Sequence, residues 1–186
     1  MYYPISIAGL KRDLELFPVS DTLSIAAFIL LGDAELTEHC ARELLKRAPE
    51  FDCLLTAEAK SIPLIHEMAR QLKAPRYYVA RKHMKVYLGE EALSTTVNSI
   101  TTKGEQKLFL AEKDAAALKG RRVLIVDDVI STGESLRALE DLAEKAGGIV
   151  CGRMAVLAEG AAAKRKDIDY LEPLPLFQAD GMPMKD

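Results

Sequence analysis

The sequence predicts one α/β domain built on a single doubly wound, mainly parallel sheet. Three observations predict it. Short apolar runs of strand length alternate with segments whose apolar residues recur at helical spacing. The chain has 186 residues, which at roughly 150 residues per domain is one domain with appended segments. No internal repeat and no linker rich in Gly, Pro or Ser divides it.

The elements follow in order. Residues 1–33 are apolar but weakly periodic and form an appendage to the main domain. From Glu35, the residues Leu36, Cys40, Leu44, Leu45 and Ala48 fall on one helical face, with Asp33 as N-cap and Pro49 as stop. Phe51–Thr56 is a strand. Ile62, Ile65, Ala69 and Leu72 mark a second helix, and Tyr77–Ala80 a second strand. A strand, a helix and a strand in sequence require a crossover and hence parallel pairing. Met84–Glu105 is polar, rich in Thr and Ser, and interrupted by Gly89 and Gly104. It reads as a long mobile loop or a loose hairpin entering a strand near Lys107–Leu110. Arg122–Val126 is a buried strand, and Leu136, Leu139, Leu142, Ala143 and Ala146 form a helical stripe that stops at Gly147–Gly148. Ile149–Leu157 is a further strand. The tail from Pro173 to Asp186 looks irregular. The core is accordingly expected over 34–172, between an N-terminal hood and base-pocket segment, 1–33, and a C-terminal tail, 173–186, the two ends contributing a small hood.

Composition narrows the function. With 25 Lys+Arg against 28 Asp+Glu the formal charge is −3, and the pI is near 5.7. Neither a nucleic-acid binder nor a membrane-surface protein is expected from that balance. The densest apolar run, Ile25–Leu31, is too short to span a bilayer. The N-terminus has no basic start or cleavage site of a signal peptide. Three scattered cysteines, Cys40, Cys53 and Cys151, form no metal-binding spacing and fit a reducing, cytoplasmic setting. His39, His66 and His83 have no mutual metal-ligand spacing either.

One segment carries chemistry. After the strand Arg122–Val126 come two adjacent acids, Asp127 and Asp128, then Val129 and Ile130, then Ser131, Thr132, Gly133, Glu134 and Ser135 at the opening of a helix. Open α/β sheets place ligands at the carboxyl ends of their strands. Hydroxyls and unpaired amides at a helix start cradle a phosphate, and Gly133 lets the backbone approach it. The carboxylates accept from hydroxyls. A sugar phosphate satisfies both halves at once. Neither a P-loop nor a GxGxxG fingerprint is present.

This segment resembles the phosphoribosyl diphosphate (PRPP) binding motif of the type I phosphoribosyltransferases over thirteen consecutive positions. The departure is Glu134, whose charge beside a phosphate is unhelpful. The resemblance implies a hooded α/β fold with a flexible loop over 84–105 and transfer of a base onto PRPP with release of pyrophosphate. It assigns Asp127 and Asp128 to the ribose hydroxyls, directly or through metal or water, as the catalytic pair. Ser131–Ser135 take the 5′-phosphate. The loop Glu58, Ala59, Lys60 and Ser61, with a strained peptide expected at Ala59–Lys60, takes pyrophosphate together with Arg81, Lys82 and Lys85. Mg2+ is implied, bound mainly through PRPP. A homodimer is implied by analogy.

Val79–His83 and Ser94–Lys103 are most similar to the xanthine and adenine branch, along which an N-terminal helix is also expected. The orotate and hypoxanthine-guanine branches look more distant. Gly160 stands after Glu159 where xanthine-type relatives carry Lys, and no Asn is found in Phe28–Leu31, so the base is left open. Apolar base-pocket candidates are Leu23, Phe28, Val129 and Phe177. Two alternatives remain: a PRPP- or nucleotide-sensing regulator of the same fold, and a transferase acting on pyrimidines.

Overall fold

The computed structural model describes residues 1–89, 91–98 and 105–184. Its centre is a five-stranded sheet whose neighbours all pair in parallel. The strands are β4 (Cys53–Ala57), β5 (Tyr78–Ala80), β8 (Arg122–Ile130), β9 (Ile149–Glu159) and β10 (Asp169–Leu174), in the spatial order β10-β9-β8-β4-β5. Alternation along the strands separates two apolar layers. Leu54, Leu124, Val126 and Met154 face one layer, and Cys53, Leu55, Val123, Ile125 and Ala155 face the other.

Helices α1 (Ala34–Arg47) and α2 (Ile62–Gln71) fill the first layer; α3 (Glu112–Leu118) and α4 (Glu134–Lys145) fill the second. Each buries an i, i+3, i+4 stripe: Leu36, Cys40, Ala41 and Leu44 in α1, and Leu136, Leu139, Leu142 and Ala143 in α4. Asp33 caps α1 as expected, its Oδ1 accepting from the Leu36 amide at 3.0 Å. Arg12 clamps the same carboxylate at 2.7 Å and reaches Glu35 at 2.9 Å, tying the N-terminal segment to the core.

That segment departs from expectation. No helix precedes α1; instead β1 (Tyr2–Ile7), β2 (Leu10–Pro18) and β3 (Leu23–Ala26) form an antiparallel sheet completed by β11 (Phe177–Gln178) from the tail, in the order β1-β2-β3-β11. The hood is therefore made by both ends of the chain. The turn Ala8–Gly9 has φ of 50° and 83°, the backbone that a two-residue hairpin requires. Pro4 and Pro18 are tolerated because one lies on an edge strand and the other ends its strand. The tail expected to be irregular contributes β11, and the core runs on through β10 to Leu174.

Within 84–105 the hairpin alternative is the one observed. A short 3-10 turn, Val86–Leu88, precedes β6 (Leu93–Asn98), which pairs antiparallel with β7 (Glu105–Leu110). Residues 99–104 of the segment lie outside the described residues. Strand β7 docks on the main sheet through reciprocal backbone bonds between Arg81 and Phe109, both 2.7 Å. Neither α3 nor β10 was expected from the sequence.

Candidate active site

Topology singles out one crevice. Strand β4 leads through α2 outward to β5, while its neighbour β8 leads through α4 in the opposite direction to β9. Adjacent strands whose connections diverge leave a gap at their carboxyl ends, the switch point where open α/β sheets bind ligands. The loops at this gap are 58–61 and 131–135, the two that the motif reading selected.

The acids sit differently from their expected place. Strand β8 does not end at Val126 but runs to Ile130, and Asp127 pairs in register with Ala155 on β9. Both carboxylates therefore project from rigid strand rather than from a loop. Because successive strand residues point to opposite faces, two adjacent acids could not meet by strand geometry alone. Ser61 joins them. Its hydroxyl lies 2.6 Å from Asp127 Oδ1 and 3.0 Å from Asp128 Oδ1, and it accepts the Asp128 amide at 2.9 Å. One hydroxyl proton serves two carboxylates, so a donor is missing. Asp128 is 6% exposed and its Oδ2 is buried without a partner. Burial, and then the charge of Asp128, push the Asp127 carboxyl up to about 7. The pair is short of donors or of positive charge, the need that sugar hydroxyls or a cation meet.

On β4, Thr56 donates to the Val126 carbonyl at 2.6 Å and fixes the spacing of the two strands. The chain leaves the sheet directly after Glu58, whose amide still bonds the Ala80 carbonyl at 2.9 Å. The non-standard peptide is cis and lies at Glu58–Ala59, one bond before the expected Ala59–Lys60. Glu58 does not face an anion site. It accepts from the Lys82 amide and from Arg81 Nη1 at 3.2 Å, clasping the β4 loop to the end of β5. Burial opposes ionisation of Glu58, but the Lys82 amide and the Arg81 guanidinium outweigh it and hold the carboxyl below its ordinary range. Ala59, Lys60, Lys82 and Lys85 are exposed, and Arg81 is partly so. Ser61, expected on the anion, is instead buried against the acids.

At the phosphate loop, Gly133 has φ +81°, the left-handed conformation its residue type permits, and caps α4. Ser131, Thr132 and Ser135 are exposed; Glu134 is half-buried. The four base-pocket candidates are not brought together at a surface. Phe177 is fully enclosed in the hood core, its ring 4.9 Å from that of Tyr3, and Phe28 is 4% exposed. Packing takes up both rings; Leu23 and Val129 keep partial exposure. Glu159, named in the sequence beside Gly160 but given no role, lies one position past the β9 partner of Ile130, where burial raises the carboxyl pKa against the opposing charge of Lys60. A cavity of about 460 Å3 beside β5, lined by Arg76, Tyr77, Tyr87 and Asp114, shares Arg81 with this region but lies off the switch point.

Comparison with known proteins supplies the family. Residues 34–175, from α1 to the end of β10, match the phosphoribosyl transferase domain. The chain belongs to that family. This phosphoribosyltransferase is 31% identical over 158 residues to a hypoxanthine/guanine phosphoribosyltransferase of Methanotorris igneus, covering 83% of the chain and 78% of the relative. It is 27% identical over 141 residues to xanthine phosphoribosyltransferase 1 of Clostridium perfringens, covering 75% and 73%. In structure it is similar to adenine phosphoribosyltransferase of Thermoanaerobacter pseudethanolicus, with a TM-score of 0.69 and 24% identity over 86% of this chain and 95% of that one. The hypoxanthine-guanine branch, expected to be more distant, thus stands beside the xanthine and adenine branches.

Among the described residues no helix is long and apolar enough to cross a membrane, and no group of three or more His, Cys, Asp or Glu is placed to hold a metal.

Proposed function

We propose that this phosphoribosyltransferase joins a purine base to PRPP, giving a nucleoside monophosphate and pyrophosphate in purine salvage. The observation that carries the reading is the Ser61-bridged carboxylate pair at the switch point, beside a hydroxyl-rich loop at a helix start. Asp127 and Asp128 accept from the two ribose hydroxyls and so satisfy the donor shortage. The amides and hydroxyls of Ser131–Ser135 hold the 5′-phosphate. Lys60, Arg81, Lys82 and Lys85 face the pyrophosphate, with Arg81 aimed by Glu58.

The residues present fit Mg2+ carried by the substrate. Two acids, one with a buried orphan oxygen, offer few protein ligands, and substrate oxygens and water supply the rest. When bound, the ion neutralises the charge that gathers on departing pyrophosphate. In the transfer a ring nitrogen forms its bond to C1 of the ribose as the C1–oxygen bond breaks. Pyrophosphate leaves with the electron pair, and the base's ring proton is released. The protein aligns the two reactants and holds the separating charges.

The named relatives favour a purine; their spread across hypoxanthine/guanine, xanthine and adenine leaves the particular base to experiment. The exposed apolar side chains Met84, Val86 and Tyr87 beside Arg81–Lys82 support a homodimer. Three unpaired cysteines, with the Cys40 thiol pushed up to about 12 by burial, support a reducing cytoplasm. The test is pyrophosphate release on incubation with PRPP, Mg2+ and, in turn, adenine, hypoxanthine, guanine, xanthine, uracil and orotate. Turnover with at least one purine and neither pyrimidine is expected. Turnover with pyrimidines alone, or tight PRPP binding with no release, overturns the proposal.

A further inference from the structure

We propose that Arg165 is a positioning residue of the phosphate loop and supplies the positive charge that the loop itself lacks. The inference rests on the phosphoribosyl-transfer reading of that loop. Ser131–Ser135 contains hydroxyls, amides and one carboxylate, but no cation. Gly133 is nevertheless buried, between exposed Thr132 and half-buried Glu134. What covers it is Arg165, from the turn after β9: a methyl group built on Gly133 would lie 2.4 Å from Arg165 Nη1.

The guanidinium is held there. Its Nε and Nη2 grip the two oxygens of Asp167 at 2.9 and 2.6 Å, which fixes its plane and turns Nη1 onto Gly133. A bidentate fork of this kind fixes geometry as well as contributing energy. Glu140, further along α4, is occupied by Arg153 rather than by Arg165. The guanidinium thus covers the side of Gly133 on which a side chain would stand and brings a cation, paired with Asp167, beside the loop where the phosphate charge arrives.

The test measures binding of ribose 5-phosphate and, separately, of pyrophosphate by titration calorimetry at about 50 and about 300 mM salt. Arg165→Gln is expected to weaken ribose 5-phosphate about fivefold to tenfold at low salt, with a smaller loss at high salt, and to leave pyrophosphate unchanged. Arg165→Lys keeps the charge and should recover most of the affinity. Asp167→Glu keeps the charge but displaces the clamp and should weaken ribose 5-phosphate about twofold; it carries the test alone should Arg165→Gln not fold. Wild-type affinity in these variants, or equal weakening of both ligands, overturns the proposal. Failure of the wild-type protein to bind ribose 5-phosphate would instead overturn the reading of the loop.

Discussion

Replacing Asp127 and Asp128 by Asn, singly and together, tests what the buried acids do. Asn has nearly the same shape and keeps one acceptor oxygen, so the strand and its partners on β9 are undisturbed. What is lost is charge. A hydrogen bond from a sugar hydroxyl to a carboxylate contributes about 1.5–3 kcal/mol and one to a neutral acceptor about 1 kcal/mol. Each substitution therefore costs about 0.5–2 kcal/mol of donor binding, or roughly 2- to 30-fold in the KM for PRPP. The double variant should lose more than either single variant, and not by simple addition, because both acids share Ser61. Stability should move the other way. The pair is short of donors and Asp128 Oδ2 is orphaned, so neutral side chains relieve like-charge repulsion and the melting temperature should hold or rise. Initial rates at saturating base give the KM, and thermal unfolding without ligand gives the Tm. A KM equal to that of wild type in both folded single variants and in the double variant would refute the assignment of these acids to the ribose.

Three further outcomes are expected. Ser61→Ala removes a 1%-exposed hydroxyl that bridges both acids and the Asp128 amide, costing on the order of 2 kcal/mol and lowering Tm by about 4–8 °C; an unchanged Tm would show that the bridge is dispensable. Gly133→Ala places a methyl against Arg165 in a backbone conformation that costs L-residues about 1–2 kcal/mol, so the KM for PRPP should rise at least about fivefold with the base KM unchanged; equal changes in both would contradict this. Asp33→Asn keeps an N-cap but loses the Arg12 pair, which together with the Leu36 amide holds the Asp33 carboxyl below its usual range despite burial. A depressed acid contributes stability above its unfolded value, about 3.9, and loses it as pH falls through its lower folded value. The variant should therefore melt about 1–3 °C lower at pH 7, with the gap closing below about pH 4; a gap constant with pH would contradict the ion-pair account.

The core was legible in the sequence because its periodicities are unmixed. The stripes of α1 and α4 and the apolar runs of β4 and β8 each match one template, and Asp33 and Pro49 bound α1 where their chemistry requires. A hood was expected from the two ends of the chain, but its strands were not, although their signal was there. Tyr3, Ile5 and Ile7, then Leu14 and Leu16, alternate on either side of Ala8–Gly9, a strand pattern around a hairpin turn. Expectation of an N-terminal helix overrode it. Strand β11 is two residues long and exists only because the tail meets β3, a long-range pairing that no local pattern carries. The same limit applies to the site. Asp127, Asp128 and the Ser131–Ser135 loop lie together in sequence and could be found there. The Ser61 bridge joins positions 66 and 67 residues apart, and the Arg165 cover on Gly133 comes from beyond β9. Glu58 looked like part of an anion loop, whereas its partner Arg81 lies on another strand. Phe28 and Phe177, apolar candidates for the base pocket that equally suited a core, are both buried.

The central claim is that one crevice, between the diverging strands β4 and β8, grips both ends of a phosphorylated ribose. A crystal structure with ribose 5-phosphate tests it most directly. The phosphate is predicted within hydrogen-bonding distance of the amides of residues 132–135, with the two ring hydroxyls on Asp127 and Asp128. Density for the sugar phosphate elsewhere, with these groups unliganded, would contradict the account.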